Sequence, residues 1–285
     1  MRSMLALAAE PCRYVLYGGI TCPFTHRAML ARCLRGLESQ VRQVLARPVP
    51  GPTGWEFDAS GGKHADPVIG ARCLQDIYLA DDAGFHGRPS VPVLWDAEDS
   101  RIVSHDSRQI VLLFNEHPQA RGADLYPSGQ RERIDADVAG FDADFVGAII
   151  RAGSTGSQAE YEQAVQRVFG WLDALDARLA GQRYLGGASP DLADLVTFTG
   201  LVRFDSCYYF GSRCHLRRVQ DYPNLWGYLR DIYQLPGIAA TVDLDAFRKS
   251  FFTTSPAGRD GVIPLGPDMD LTTPHGREVL AAAQA

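Results

Sequence analysis

Tyr14-Val15-Leu16-Tyr17-Gly18-Gly19-Ile20-Thr21-Cys22-Pro23-Phe24-Thr25-His26-Arg27 decides the reading of this chain. An apolar run reads as a strand, two glycines turn the chain, and a cysteine stands where a helix begins. Pro23 suits the first helical position, where a backbone N–H would have no partner to lose. The unpaired N–H groups at that helix end favour negative charge, so Cys22 is placed to act as a thiolate. His26 and Arg27, one turn on, are expected to add positive charge. The blander reading is a small apolar cysteine at a helix start; the proline after it and the strand–turn–helix setting favour the nucleophile. Position 25 is Thr, so Cys22 has no Cys-x-x-Cys partner. Its expected chemistry is monothiol: a mixed disulfide forms, and an external thiol must release it.

Working outward, Pro23 to Gly36 reads as a helix closed by glycine and Val41 to Val49 as a second strand. Residues 50 to 70, rich in Gly, Pro and Asp, form a loop long enough to suggest function. Ala71 to Ala83 reads as a helix. Ser90 to Trp95 and Arg101 to Val103 read as strands joined by a turn through Asp96, Glu98 and Asp99, and Ser107 to Asn115 as a helix. This β-α-β-α-β-β-α order is that of a thioredoxin-like domain. There, Pro92 of Ser90-Val91-Pro92-Val93-Leu94 is expected in the cis form, facing Cys22 and presenting the Val91 backbone to a peptide-like thiol. The plainer reading is a trans proline opening an edge strand. Ser104-His105-Asp106-Ser107 stands at a helix start. Asp106 and Ser107 either cap that helix or receive the ammonium and carboxylate of a γ-glutamyl group, and the residues alone leave both open.

The remainder reads as helical. Arg131 to Ala152 and Glu160 to Leu179 carry apolar residues at spacings of three and four. Ser189-Pro190-Asp191-Leu192-Ala193-Asp194 opens another helix, which Asp191 and Asp194 are expected to cap and brace. Tyr222 to Tyr233 forms one more. The expected fold class is an α/β N-terminal thioredoxin-like domain followed by an all-α C-terminal domain. The expected boundaries are 1–116 for the thiol-binding domain, 117–129 for a linker, 130–254 for the helical substrate domain and 255–285 for an irregular tail.

Composition narrows the function classes. A net charge of -6 argues against a general binder of nucleic acid or anionic membrane. No window has the apolar length to span a bilayer, and the apolar part of residues 1–10 is too short for a leader, ending at Glu10. A cytoplasmic protein is expected. Cys12, Cys22, Cys33, Cys73, Cys207 and Cys214 form no regular framework and match no zinc spacing, so reduced thiols and no metal are expected. Lysine occurs only at Lys63 and Lys249, while arginine abounds, a pattern of GC-rich genomes.

Taken together, these residues resemble the glutathione transferase superfamily, and the longer strings resemble its glutathionyl-hydroquinone reductase (Xi-class) branch. The resemblance runs from about Arg13 to His275. Its most specific pieces are Gly54-Trp55-Glu56-Phe57, Leu74-Gln75-Asp76-Ile77-Tyr78-Leu79, Val91-Pro92-Val93-Leu94-Trp95-Asp96, Leu201-Val202-Arg203-Phe204-Asp205, Cys214-His215-Leu216-Arg217-Arg218, Asp221-Tyr222-Pro223-Asn224-Leu225-Trp226 and Pro264-Leu265-Gly266-Pro267. The resemblance implies that Cys22 attacks the glutathione sulfur of a glutathionyl-hydroquinone and that a second glutathione resolves the mixed disulfide. It implies glutathione contacts at Trp55, Arg88, Val91 and Pro92, and a γ-glutamyl site at Asp106 and Ser107. It implies a substrate pocket that includes Phe24, Tyr208, Phe145 and Ile149, and a homodimer.

The chain also departs from the family. Phe24 and Thr25 replace Trp and Ala of the family string Cys-Pro-Trp-Ala-His-Arg. Asp106 replaces Glu, and its carboxylate sits about 1.5 Å back. Asp142-Ala143-Asp144-Phe145-Val146-Gly147-Ala148-Ile149-Ile150 lacks the tyrosines that would grip a quinol oxygen. The thiol half of the site is thus kept and the acceptor half rebuilt. Mycothiol, the small thiol of some GC-rich bacteria, has no γ-glutamyl group and is the alternative co-substrate. Three functions remain in view: reductive deglutathionylation of a small aromatic thioether, thiol transfer on a secondary metabolite, and a non-catalytic binding protein of the same fold.

Overall fold

The structure is a computed structural model and describes residues 6–59, 61–255 and 262–282. The opening five residues, and residues 256–261 and 283–285 of the tail expected to be irregular, lie outside the described residues. The chain divides into two compact units. One takes the residues up to Gly122 together with Thr241–Ala246, and the other takes Ala123–Ala240 and the chain from Phe247 onward.

The first unit is built on a four-stranded sheet. Its strands are β1 (Tyr14–Gly19), β2 (Val41–Ala46), β3 (Val93–Asp96) and β4 (Arg101–Ser104), in the spatial order β2-β1-β3-β4. β1 runs parallel to β2, with Tyr14 opposite Val41, and antiparallel to β3, with Tyr17 opposite Val93. All six β1 residues are buried, as expected of a central strand whose sequence is apolar on both faces. Two helices join the strands, α1 (Pro23–Leu34) and α2 (Leu74–Asp81), and α3 (Ser107–Asn115) follows β4. α1 ends where Gly36 takes a φ of +62°, a conformation that glycine adopts without a Cβ penalty.

Two expectations shift here. β3 starts at Val93 rather than Ser90, because Pro92 has no N–H to give a neighbouring strand. α2 starts at Leu74 rather than Ala71, because the Asp76 carboxylate accepts the N–H groups of Arg72 and Cys73 at 2.8 and 3.1 Å and so holds the chain extended before the helix.

The second unit is helical. It holds α4 (Arg131–Gly140), α5 (Gly147–Ser154), α6 (Gln158–Leu179), α7 (Leu192–Arg203), the short α8 (Tyr209–Gly211) and α9 (Pro223–Tyr233). α10 (Leu244–Thr254) follows the chain's return to the first unit, and α11 (Glu278–Ala282) lies in the tail. α7 is buried along its whole length; its sequence is mostly apolar, and the polar Asp194, Thr199 and Arg203 are hydrogen-bonded there. The single helix expected over Arg131 to Ala152 is interrupted by a π-helical turn at Phe141–Val146, and a second π turn, Phe204–Tyr208, follows α7. The two turns meet in an aromatic cluster: Phe145 lies 4.7 Å from Trp171, 5.3 Å from Phe141 and 5.8 Å from Phe204, ring centre to ring centre.

α7 opens as expected. Asp191 accepts from Ala193 and Asp194, while Asp194 accepts the N–H groups of Asp191, Leu185 and Gly186 and the Tyr228 hydroxyl at 2.7 Å. Asp194 is wholly buried, and that burial, with Asp191 beside it, raises its carboxyl well above the usual carboxylate range.

Candidate functional site

Cys22 is the N-cap residue of α1, its backbone still extended at φ -78° and ψ 121°. Its N–H donates to Gly19 at 3.0 Å, and its carbonyl accepts the His26 N–H at 3.0 Å, the first hydrogen bond of the helix. The side chain makes no cap to its own helix. It points across to the start of β3, where Sγ lies 3.8 Å from the Val91 carbonyl oxygen. The Val91–Pro92 bond is cis. Cys22 and Trp55 are partly buried and pack on the same apolar cluster, which includes Tyr17, Phe57, Val91, Val93 and Trp95.

Trp55 hangs from the long loop after β2. Backbone pairs Gly51–Gly54 and Glu56–Cys73 shape that loop, and the Trp55 carbonyl accepts the Leu74 N–H at 2.8 Å. The indole lies on Gly19, where a Cβ would come within 2.2 Å of the ring. Gly19 therefore does more than turn the chain: its bare backbone makes room for Trp55 beside the cysteine. The Gly18-Gly19 pair was the sequence signal for this seat, though nothing in it named the indole as occupant.

The residues after Cys22 are committed elsewhere. Thr25 is buried, and its Oγ1 accepts the Gly19 N–H at 3.4 Å. His26 is buried too, with Nε2 2.8 Å from the Thr241 hydroxyl, so it does not turn toward the thiol. Arg27 lays its guanidinium over the Phe24 ring, 4.8 Å from the centre, and Phe24 is half exposed.

Asp106 is the N-cap of α3, and its Oδ1 accepts the Gln109 N–H at 2.7 Å. Ser104 Oγ accepts the Asp106 N–H at 3.1 Å and donates to Gln109 Oε1 at 2.7 Å. The capping role is thus present in the structure, and the carboxylate stays exposed. Ser107 is the first residue of α3 and Arg88 lies in the exposed loop before β3. Beside Asp106 opens a cavity of about 380 Å³, lined by Tyr78, Asp81, Asp82, Phe85, His105 and Gln109 among others.

In the helical unit, Tyr208 closes the second π turn, half buried, with its ring 5.7 Å from that of Phe251. Phe145 and Ile149, expected in the substrate pocket, are core residues instead: Phe145 is wholly covered by Phe141, Trp171 and Phe204, and Ile149 is buried on α5. Both fall on the three- and four-residue apolar spacing of Ile134, Val138, Phe141, Phe145, Ile149 and Ala152, the face that this unit buries. Ile150, the next residue, is exposed.

Three of the other cysteines are poor nucleophiles. Burial pushes Cys33 and Cys207 up to about 11 and Cys214 up to about 12. No group of His, Cys, Asp and Glu that would hold a metal ion occurs among the described residues. No described helix is long and apolar enough to cross a membrane.

Residues 21–117 match the family Glutathione S-transferase, N-terminal domain, and residues 158–231 match Glutathione S-transferase, C-terminal domain. The glutathionyl-hydroquinone reductase YqjG of Escherichia coli K12 is 40% identical over 280 residues, 95% of this chain and 84% of that protein. The chain belongs to the glutathione S-transferase superfamily, in its Xi-class, glutathionyl-hydroquinone reductase branch. The glutathionyl-hydroquinone reductase PcpF of Sphingobium chlorophenolicum is 33% identical, over 92% of this chain and 85% of that protein. The glutathione-bound structure of YqjG superposes with a TM-score of 0.89 at 38% identity, covering 95% of this chain and 90% of that one. The Xi-class transferase of Natrialba magadii does so with a TM-score of 0.87 at 35% identity, covering 95% and 86%. Within this transferase fold, Cys22, Trp55 and Val91 come together in the first unit, and Asp106 with Ser107 marks the start of α3.

Proposed function

We propose that this transferase is a glutathione-dependent reductase that removes glutathione from a small aromatic thioether, with Cys22 as its nucleophile. The Cys22 thiolate attacks the glutathione sulfur. The carbon–sulfur bond breaks, its electron pair and a proton go to the aromatic carbon, and Cys22 is left in a mixed disulfide with glutathione. A second glutathione thiolate attacks that disulfide, giving oxidised glutathione and free Cys22. The aromatic carbon is reduced, and two glutathione sulfurs are joined. Thr25 in place of a second cysteine suits a site that depends on an external thiol.

The observation that carries this reading is the placement of Cys22: at the N-terminus of α1, its thiol 3.8 Å from the Val91 carbonyl, in a chain 40% identical to a protein named for that activity. In this reading, Val91 and Pro92 border the cysteinyl part of glutathione, with the Val91 backbone pairing with it. Trp55 and Arg88 flank the tripeptide, and Asp106 with Ser107 receives its γ-glutamyl end. Phe24 and Tyr208 contact the aromatic substrate; Phe145 and Ile149 are left out because they are buried. The protein works as a homodimer in the cytoplasm, whose glutathione pool keeps the site reduced. Residues up to 116 form the thiol-binding part, 117–129 the connection, and 130–254 the substrate part, apart from Thr241–Ala246, which belongs with the first unit.

The test is turnover of glutathionyl-menadiol with added glutathione. One menadiol and one oxidised glutathione per substrate are expected, with none from Cys22→Ser. An intact Cys22 that forms a mixed disulfide yet leaves glutathionyl-menadiol unchanged would instead point to thiol transfer on another acceptor. The mass of the adduct on Cys22 after purification from the native host distinguishes glutathione from mycothiol.

A further inference from the structure

His26 is tied at both ends. Its backbone N–H makes the first hydrogen bond of α1, to the Cys22 carbonyl at 3.0 Å. Its side chain reaches Thr241 Oγ1 at 2.8 Å, across 215 residues of sequence, and both residues are buried. Thr241 ends a short 3-10 turn, Ala239–Thr241, where the chain re-enters the first unit. One residue therefore links the peptide that carries the nucleophile to a segment more than a hundred residues beyond the end of α3. Pro23, Phe24 and Thr25 stand between Cys22 and His26, so a shift of the imidazole is transmitted over a single helical turn.

We infer that Thr241 is a positioning residue for the reaction: through His26 it holds the first turn of α1, and with it Cys22, in register with Val91. The inference rests on Cys22 being the nucleophile. The thiol must meet the glutathione sulfur in line, and misplacement by about 1 Å costs on the order of a hundredfold in rate. A buried hydrogen bond of this kind also resists such drift, because both groups were desolvated to make it. Thr241 touches neither reacting sulfur in this account. Its effect should appear in the reactivity of Cys22 and in kcat, not in the affinity for glutathione.

The experiment compares Thr241→Val, which keeps the shape and loses the hydroxyl, with Thr241→Ser, which keeps the hydroxyl. Two quantities are read: the rate of Cys22 alkylation by iodoacetamide, followed by peptide mass, and kcat and KM with glutathionyl-menadiol and glutathione. The expected result is a fall of about tenfold in both the alkylation rate and kcat for valine. The glutathione KM should stay within about twofold, and serine should restore both rates to within about twofold. Valine alkylated at the wild-type rate, or serine as slow as valine, overturns the inference. If the valine variant does not fold, Thr241→Ala is judged by the same two readouts against serine. Turnover retained by Cys22→Ser would sink the proposed nucleophile instead, while the alkylation comparison would still decide whether Thr241 positions Cys22.

Discussion

The Sγ atom of Cys22 and the carbonyl oxygen of Val91 lie 3.8 Å apart, one at the end of a helix and the other at the start of a strand. They are 69 residues apart in sequence. At that distance the thiol donates a weak hydrogen bond to the carbonyl, and in the proposed reading a thiol-bearing peptide that pairs with the Val91 backbone brings its sulfur to Cys22. Cys22→Ser should keep the fold and lose at least about a thousandfold in deglutathionylation rate, because the hydroxyl is not ionised at neutral pH and the thiol step has no substitute. Steady-state assays with glutathionyl-menadiol, alongside a circular dichroism spectrum matching the parent, check this.

Gly19→Ala should displace the indole of Trp55, since the new Cβ would fall 2.2 Å from the ring. Overpacking of this sort costs about 1–3 kcal/mol. A functional cost of similar size should accompany the structural one: a KM for glutathione raised about tenfold, matched by Trp55→Ala. If Gly19→Ala binds glutathione as well as the parent by calorimetry, Trp55 is not a glutathione contact.

The cap that Asp106 makes and its proposed γ-glutamyl role can be separated. Asp106→Ala removes the cap on Gln109 and should cost about 1 kcal/mol of stability. Asp106→Asn keeps an acceptor for that N–H and loses only the charge. It should melt close to the parent while its glutathione KM rises about tenfold, the loss of one charge-assisted hydrogen bond. Equal KM values for Asp106→Asn and the parent would leave Asp106 as a helix cap alone.

Asp205 is buried, and it accepts N–H groups from Val219 at 2.6 Å and Gln220 at 3.2 Å. Burial nonetheless pushes its carboxyl up to about 6. Between the ordinary carboxylate range and pH 6, the folded protein therefore holds a proton that the unfolded chain has released. Stability from this residue is present at the acid end and falls as pH rises toward 6, by on the order of 2 kcal/mol. Urea unfolding of Asp205→Asn and the parent from pH 4.5 to 6.5 should show the parent losing ground to the variant as pH increases. A constant difference across that range would remove the titration from the account.

Asp194→Ala should be the most damaging of these substitutions. It strips acceptors from Leu185, Asp191 and the buried Tyr228 hydroxyl at once. A loss of about 3–5 kcal/mol is expected, enough to unfold many domains of this size, and thermal melts followed by near-ultraviolet dichroism will read it.

Much of this was legible in the sequence because the signals were local. Tyr14 to Cys22 carried its own strand, turn and helix start, and Asp191 with Asp194 carried its own cap. Pro92 and Asp106 could be placed because each stands at the edge of an element. The misreadings came where distance in sequence decided the outcome, or where a likeness to other chains was followed over the local pattern. Phe145 and Ile149 lie on the apolar spacing that runs from Ile134 to Ala152, which points to the core; it was the resemblance that assigned them to the substrate pocket. His26 reads as a charge beside the thiol, yet its partner is Thr241, and no spacing rule joins positions so far apart. Trp55 reads as a loop aromatic, and only the folded chain shows that Gly19 is its seat.

The return of Thr241–Ala246 to the first unit makes the thioredoxin-like part of this protein a discontinuous module. A gene fragment ending at Gly122 would encode every strand of the sheet and Cys22, yet not the hydroxyl against which His26 rests. During synthesis, α1 leaves the ribosome long before Thr241 exists, so the hydrogen bond between them closes only when most of the chain has been made. A shuffled or truncated version that keeps only the first half would inherit the thiol without that bond.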